Sequence, residues 1–359
     1  MINRTEVAVV GAGPIGLELA VALKRHGIDY LHFDAKQIGY TISWFAPQTR
    51  FFSSNERIAI AGIPLQTPDQ NKATREQYLA YLRGIVQQFD LRVNTYEPIV
   101  GIEQKEGGFA LTTRPAGGAR NYWARKLVLV TGGTDHPRRL NVPGEELPLV
   151  SHYFQDAHTY FGKRLLIVGG KNSAVEAALR CHQAGAHVSL SYRRAALPEK
   201  SIKYWLLPEI RGLIESGKMP AYFQTVPTQI TASSVRLSKC EMEGTKGSGA
   251  PYSICRVAAS SMDVEADFIL ALIGYEQDNT LFRLAGVELR GDCGAPIFDE
   301  KTMETNVPGL YVAGTAVGGT QEKYTVFIEN CHVHVDRIIA ALTGAAAPQA
   351  PPAPAMPES

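Results

Sequence analysis

Cys-x-x-Cys is missing from this chain, and its five cysteines (Cys181, Cys240, Cys255, Cys293, Cys331) are scattered and odd in number. That distribution argues against a disulfide framework and against a structural zinc site, and no metal is expected. Long apolar runs are missing too. None reaches the roughly 18 residues that cross a bilayer, and Met1 to Glu6 lack the apolar core of a signal peptide. Charge of one sign is not in excess: 36 Lys and Arg against 35 Asp and Glu give a net +1. There is accordingly no electrostatic case for nucleic acid or an anionic membrane, and a cytoplasmic protein is expected. What remains is ordinary for a globular chain, 45% hydrophobic and 20% charged over 359 residues, with room for two domains.

The informative stretch lies at the start. Val7-Ala-Val-Val runs into Gly11-Ala-Gly13-Pro14-Ile15-Gly16, and helix-type sequence follows at once. In Gly-x-Gly-x-x-Gly the first glycine permits a tight turn, the second lets backbone approach a pyrophosphate, and the third lets helix pack close on strand. The helix N-terminus then faces the phosphates with its positive end. A glycine-rich turn alone is weak evidence. Here a second apolar run, Tyr30-Leu-His-Phe-Asp34, ends in an acid 23 positions after Gly11, where a carboxylate would accept hydrogen bonds from an adenosine ribose.

Gln37 to Leu65 is rich in aromatics and turn residues, as in Ile42-Ser-Trp-Phe-Ala-Pro47 and Arg50-Phe-Phe-Ser-Ser-Asn55. It would either wall a cofactor's reactive end or form a surface loop pinned by buried rings. Thr74 to Phe89 has helical spacing at Tyr78, Leu82, Ile85 and Phe89. Leu91 to Asn94 reads as a short strand. Ile99–Gln104, Phe109–Arg114 and Tyr122–Trp123 alternate like a small antiparallel sheet. Lys126-Leu-Val-Leu-Val-Thr131-Gly132 reads as a buried strand ending where backbone could touch a cofactor.

The opening pattern then recurs in Arg164-Leu-Leu-Ile-Val-Gly169-Gly170-Lys171-Asn172-Ser173, and such a repeat implies a second nucleotide fold. Lys171 stands where the second glycine belongs, and its ammonium could itself approach a phosphate. The next strand, His187-Val-Ser-Leu-Ser-Tyr, ends in Arg193 and Arg194 where the first repeat has its acid. Arginine there suits a 2′-phosphate, hence NADPH rather than NADH. Lys200 and Lys203 lie near enough in sequence to join that patch. Asp267 to Tyr275 ends the insert, and Asn306 to Thr315 supplies a last strand of the first fold, with helical sequence through Leu342.

The fold class expected is α/β with two Rossmann-like domains. An FAD-binding domain (1–134 and 275–343) would carry an inserted NADPH-binding domain (135–274), with an extended or disordered Ala/Pro tail at 344–359. The candidate FAD contacts are Gly11, Gly13, Pro14, Ile15, Gly16, Asp34, Thr131, Gly132 and Gly314. The candidate NADPH contacts are Gly169, Gly170, Lys171, Asn172, Ser173, Arg193 and Arg194. No residue is assigned a catalytic role.

The chain resembles the thioredoxin-reductase-like flavoproteins, pyridine nucleotide-disulfide oxidoreductases, and within them the YpdA-type bacillithiol disulfide reductases. The matching segments include Phe51-Phe-Ser-Ser54, Asn141-Val-Pro-Gly-Glu145, His152-Tyr-Phe154, Gly169-Gly-Lys-Asn-Ser173 and Ser201-Ile-Lys203. Trp205-Leu-Leu-Pro-Glu209, Gly274-Tyr275, Thr302-Met-Glu-Thr-Asn306 and Phe327-Ile-Glu-Asn330 match as well, so that only the tail is uncovered. The resemblance implies FAD, NADPH as donor, a homodimer, and a low-molecular-weight thiol disulfide as the small-molecule electron acceptor. Lys171 is normal in that family.

Two positions depart from it. The family's cysteine just before the third glycine is here Ile15, which cannot attack a disulfide. The glycine that follows Phe-Ile-Glu-Asn is here Cys331, expected about two turns inside the final helix and in the core. Without that thiol, a flavin monooxygenase or NADPH oxidase and a ferredoxin- or flavodoxin-NADP reductase are the alternative functions.

Overall fold

In the computed structural model residues 3–242, 255–321 and 324–346 are described, and they divide into two compact units. One unit comprises 3–44, 48–136 and 276–346; the other comprises 45–47 and the described part of 137–275.

In the first unit β1 (Asn3–Val10) leads through the glycine turn into α1 (Pro14–Arg25) and then β2 (Tyr30–Phe33). Val7, Ala8 and Val9 are fully buried because β1 is covered on both faces, as a parallel strand is. Pro14 takes the first helical position, where its missing N–H costs nothing. The predicted 74–89 helix is α2 (Arg75–Gln88), and its start is a reciprocal cap. Gln77 N–H donates to Thr74 Oγ1 at 3.3 Å, and Thr74 N–H donates to Gln77 Oε1 at 2.8 Å. The strands β3 (Val93–Asn94), β4 (Ile99–Lys105), β5 (Gly108–Thr113) and β6 (Arg120–Leu129) complete a sheet ordered β3-β2-β1-β6-β5-β4, and Leu310–Val312 pairs with β6.

The sequence divided β6 into two pieces, and the structure makes it one strand. Its first half is antiparallel to β5, with Phe109 opposite Ala124, and alternates buried and exposed. Its second half lies between β1 and Leu310–Val312, both parallel to it, and is continuously buried. The change of period within a single strand is what made it look like two. The run from Thr315 is also not helical throughout: a short 3₁₀ turn covers Gly314–Gly318, and the final helix spans only His332–Thr343.

The inserted unit repeats the plan. A parallel sheet places β8 (Arg164–Val168) between β9 (His187–Tyr192) and β14 (Phe268–Ala271), with β7 (Val150–Ser151) and β10 (Ala221–Phe223) at its edges. The helix α3 (Asn172–Gln183) follows β8, and α4 (Leu207–Glu215) precedes β10. The strands β11 (Thr225–Ile230), β12 (Ser234–Met242) and β13 (Cys255–Glu265) form a separate antiparallel sheet. Both units are thus Rossmann-like α/β folds. Cys240 on β12 is disulfide-bonded, while Cys181, Cys293 and Cys331 are free. Among the described residues no helix is long and apolar enough to cross a membrane.

Candidate functional site

The first glycine turn has the shape its sequence implies. Gly11 has φ +113°, and a Cβ there would lie 2.3 Å from the Val130 carbonyl oxygen. A Cβ on Gly16 would lie 2.0 Å from the Gly11 carbonyl oxygen, so helix and strand approach only because that position is bare. Gly13 is different: its Cβ would meet nothing within 4 Å. That open space in front of the α1 N-terminus, where Gly13 offers no capping side chain, is the room a pyrophosphate needs.

Asp34 closes the turn from the side. Its Oδ2 accepts from Ala12 N–H at 2.7 Å and its Oδ1 accepts from Lys36 N–H at 2.7 Å. Burial pushes the carboxyl up, and these two amide donors act against that push. Beneath the turn, His32 is fully buried and its Nε2 lies 2.8 Å from the Gly11 carbonyl oxygen. Burial brings the ring down to about 4, so it is neutral and Nε2 carries the donated proton. Among the described residues its Nδ1 has no partner. Sequence reasoning passed over His32 as one residue of an apolar strand; a histidine in such a run was the available signal.

A second group of candidates gathers at the C-terminal ends of β1, β6 and Leu310–Val312. Ile15 is 3% exposed, and a Cβ on Gly314 would lie 3.4 Å from the Ile15 Cβ. Gly133 N–H donates to Thr315 Oγ1 at 3.1 Å. Thr131 Oγ1 is buried and has no partner among the described residues, an unspent donor and acceptor beside Gly132. Two residues that sequence reasoning missed hold this place together. Gln277 donates from Nε2 to the carbonyls of Gly132 and Ala316, both at 2.9 Å. His334, on the final helix, accepts at Nδ1 from Gly314 N–H at 3.2 Å, and burial lowers it to about 4, as that acceptor role requires. No motif or spacing marks Gln277, because its function is to satisfy backbone from a distant part of the chain.

Cys331 sits at the N-cap of the final helix, not two turns inside it. It is nevertheless fully buried, and burial, with the Glu18 carboxylate adding, pushes its thiol far above the usual range. Next to it, His332 bridges Glu18 Oε2 (2.7 Å) and the Arg57 carbonyl (2.9 Å). Burial works against a charged ring there, but the Glu18 hydrogen bond and charge outweigh it and His332 is raised.

In the inserted unit Gly169 has φ +141°, and a Cβ would lie 2.4 Å from the Leu272 carbonyl oxygen. A Cβ on Gly170 would lie 2.6 Å from the Tyr192 ring. Lys171 is the N-cap residue of α3 and is exposed, Asn172 is partly buried, and Ser173 is exposed in the first turn. Arg193 and Arg194 follow β9, and both guanidiniums act on the Tyr192 hydroxyl, although burial dominates and raises it. Lys203 corrects an expectation. It is 7% exposed and its Nζ donates to Glu176 Oε2 at 2.9 Å, so it is not part of an open phosphate patch. Among the described residues no group of three or more His, Cys, Asp or Glu side chains could hold a metal ion.

Residues 8–314 match the model of the pyridine nucleotide-disulphide oxidoreductase family. The chain belongs to that family. It is 33% identical to the bacilliredoxin reductase Bdr of Bacillus subtilis, over 92% of this chain and 95% of that one. The solved structure of the bacillithiol disulfide reductase Bdr (YpdA) from Bacillus cereus superposes with a TM-score of 0.85 at 31% identity, covering 95% and 99% of the two chains. At the level of fold alone, T. acidophilum thioredoxin reductase superposes with a TM-score of 0.69 at 19% identity, over 95% and 98%. The protein is thus a flavoprotein oxidoreductase, thioredoxin-reductase-like in fold and similar to bacillithiol disulfide reductases, as the sequence resemblance implied.

Proposed function

We propose that this chain is an NADPH-dependent FAD enzyme that passes electrons to a low-molecular-weight disulfide without a cysteine at its first glycine turn. In this reading residues 1–134 and 275–343 hold FAD and residues 135–274 bind NADPH. The fit of the first unit rests on the open position at Gly13, the Asp34 carboxylate at the turn, and the unpartnered Thr131 Oγ1. Gly11, Gly13, Pro14 and Gly16 would receive the pyrophosphate, Asp34 the ribose, and Ile15, Thr131, Gly132 and Gly314 the flavin end. Gly169, Gly170, Lys171, Asn172 and Ser173 would receive the NADPH pyrophosphate, and Arg193 and Arg194 its 2′-phosphate. FAD, when bound, supplies a carrier for an electron pair. The net reaction is NADPH plus a proton plus a disulfide giving NADP⁺ and two thiols. A cytoplasmic homodimer acting on a small molecule completes the reading.

The observation that carries the unusual half is Ile15, 3% exposed against the Gly314 backbone where the resembling family has its thiol. Cys331 is no substitute: it is fully buried and held as a thiol. The same observation favours a second reading, in which the acceptor needs no thiol relay at all. That acceptor would be dioxygen, as in a monooxygenase or NADPH oxidase, or a ferredoxin or flavodoxin. Rapid mixing separates the two. The NADPH-reduced holoenzyme is mixed with bacillithiol disulfide, oxidised bacilliredoxin, dioxygen, or ferredoxin, and flavin reoxidation is followed by absorbance. Reoxidation by the small disulfide supports the first reading, and reoxidation only by oxygen or ferredoxin replaces it. A protein that is purified colourless and takes up no FAD overturns both.

A further inference from the structure

Gln277 is 7% exposed, and its amide is used at one end only. Nε2 donates to the Gly132 carbonyl and to the Ala316 carbonyl, both at 2.9 Å. Those two acceptors fix the orientation of the amide, because a carbonyl oxygen can face only its NH₂ group. The amide oxygen is left over, and among the described residues Oε1 is buried with no partner. A stranded buried acceptor is destabilising. A side chain kept for packing alone would be Leu or Met, of similar size and without that oxygen. What the glutamine adds is its N–H groups, and they go to backbone at the candidate flavin end. Gly132 is itself a candidate contact, and Ala316 belongs to the Gly314–Gly318 turn, whose first residue is another. Gln277 is anchored through its backbone as well. Its N–H donates to Thr320 Oγ1 at 2.9 Å, and Thr320 N–H donates to the Cys293 carbonyl at 2.7 Å. All of these residues lie in the first unit.

We propose that Gln277 is a positioning residue that sets the reduction potential of the flavin. It caps the negative ends of two carbonyl dipoles and ties the loop after β6 to the Gly314–Gly318 turn. A hydride adds one negative charge to the group that accepts it, so a bare carbonyl oxygen nearby disfavours the reduced state. With both oxygens capped by one amide that penalty is removed, and the potential lies above what the same loops would otherwise give. The inference rests on the reading that the first unit holds FAD. It adds that the flavin is tuned by a residue that need not touch it, one placed where the chain returns to the first unit at Glu276.

Anaerobic equilibration of the FAD-loaded protein with a reference dye, read by absorbance near pH 6, tests this without NADPH. The variants are Gln277→Met, which has no donor, and Gln277→Glu. Burial and two carbonyl neighbours favour a neutral carboxylic acid there, so Gln277→Glu supplies one O–H donor for two acceptors. A neutral hydrogen bond is worth about 2- to 12-fold in an equilibrium constant. Gln277→Met is accordingly expected to lower the ratio of reduced to oxidised flavin about 3- to 10-fold at a fixed dye potential, or roughly 15 to 30 mV for two electrons. Gln277→Glu should fall between Gln277→Met and wild type near pH 6. It should drop further relative to wild type as pH rises and the acid ionises beside the two carbonyls. Melting temperatures are measured alongside. A purely structural amide would lower the melting temperature of both variants and leave the potential unchanged, and that result overturns the inference. Failure of both variants to retain FAD overturns it too, since Gln277 would then serve folding alone. Wild-type protein that takes up no FAD would instead overturn the assignment of the unit.

Discussion

Ile15 and Cys331 put the chemistry in question at single side chains. If a thiol beside the flavin limits disulfide turnover, Ile15→Cys should raise that turnover while leaving the rate of flavin reduction near its wild-type value. Ile15 is closely packed, and the smaller side chain should cost about 1–2 kcal/mol of stability, read by thermal melting. Cys331→Ser should change disulfide turnover little. It places a hydroxyl in a fully buried site, so it should cost about 1–3 kcal/mol of stability unless the hydroxyl finds a partner. Loss of turnover in the Cys331→Ser enzyme, with flavin reduction intact, would make Cys331 the relay. Gly11 and Gly16 were legible from sequence because a positive φ and a close helix–strand approach exclude a Cβ there, and Gly13 because a pyrophosphate needs the space in front of it. Gln277 and His334 were not legible, because they satisfy backbone groups presented by residues far from them in sequence.

Among elements, the end of β9 and the final helix make separate predictions. Arg193 and Arg194 follow β9 as Asp34 follows β2. Losing a charged partner of the 2′-phosphate should cost about 1.5–3 kcal/mol, or roughly 10- to 150-fold. Arg193→Ala with Arg194→Ala should therefore raise KM for NADPH by that factor and leave KM for NADH nearly unchanged. Equal effects on both cofactors would show that these arginines do not read the 2′-phosphate. In the final helix, His332 is raised by Glu18, so its contribution is complete below the unfolded value near 6.5 and is lost as pH climbs through the folded value. The melting-temperature difference between wild type and His332→Gln should be largest near pH 6 and shrink toward pH 9. This helix also shows where reading by pattern fails. The apolar run after Thr315 suggested continuous helix, but the chain makes a 3₁₀ turn there and starts the helix only at His332.

For the whole molecule, acid sensitivity follows from two buried imidazoles. His32 and His334 are both lowered to about 4 by burial, and each holds backbone of the candidate flavin site in its neutral form. Their stabilisation is complete above about 6.5 and is lost as pH falls, because the unfolded chain takes up protons that the folded chain refuses. Each should subtract roughly 1.4 kcal/mol per pH unit between about 6.5 and about 4. Release of flavin on acidification, followed by fluorescence, should begin in that window and move to lower pH in a His334→Gln variant that keeps an acceptor for Gly314 N–H. At this scale the repeat of strand, glycine turn and helix made the architecture readable. What it did not reveal was β6, whose two burial periods belong to one strand.

That strand has a kinetic consequence. Leu310 pairs with Leu127, residues separated by 183 positions, so the last strand of the first unit can dock only after a very long loop has closed. Between them lies the inserted unit, whose own ends are joined by Arg138 N–H donating to the Gly274 carbonyl at 3.0 Å. If that unit folds first, the length left to close falls to roughly a quarter, which spares about 1 kcal/mol of loop entropy. Refolding should then be ordered. Trp205 lies in the inserted unit and Trp123 on β6, so fluorescence from single-tryptophan versions of the chain can time each one. The Trp205 signal should reach its native value first, with Trp123 lagging behind it, a sequence of events set by where one strand finds its neighbour.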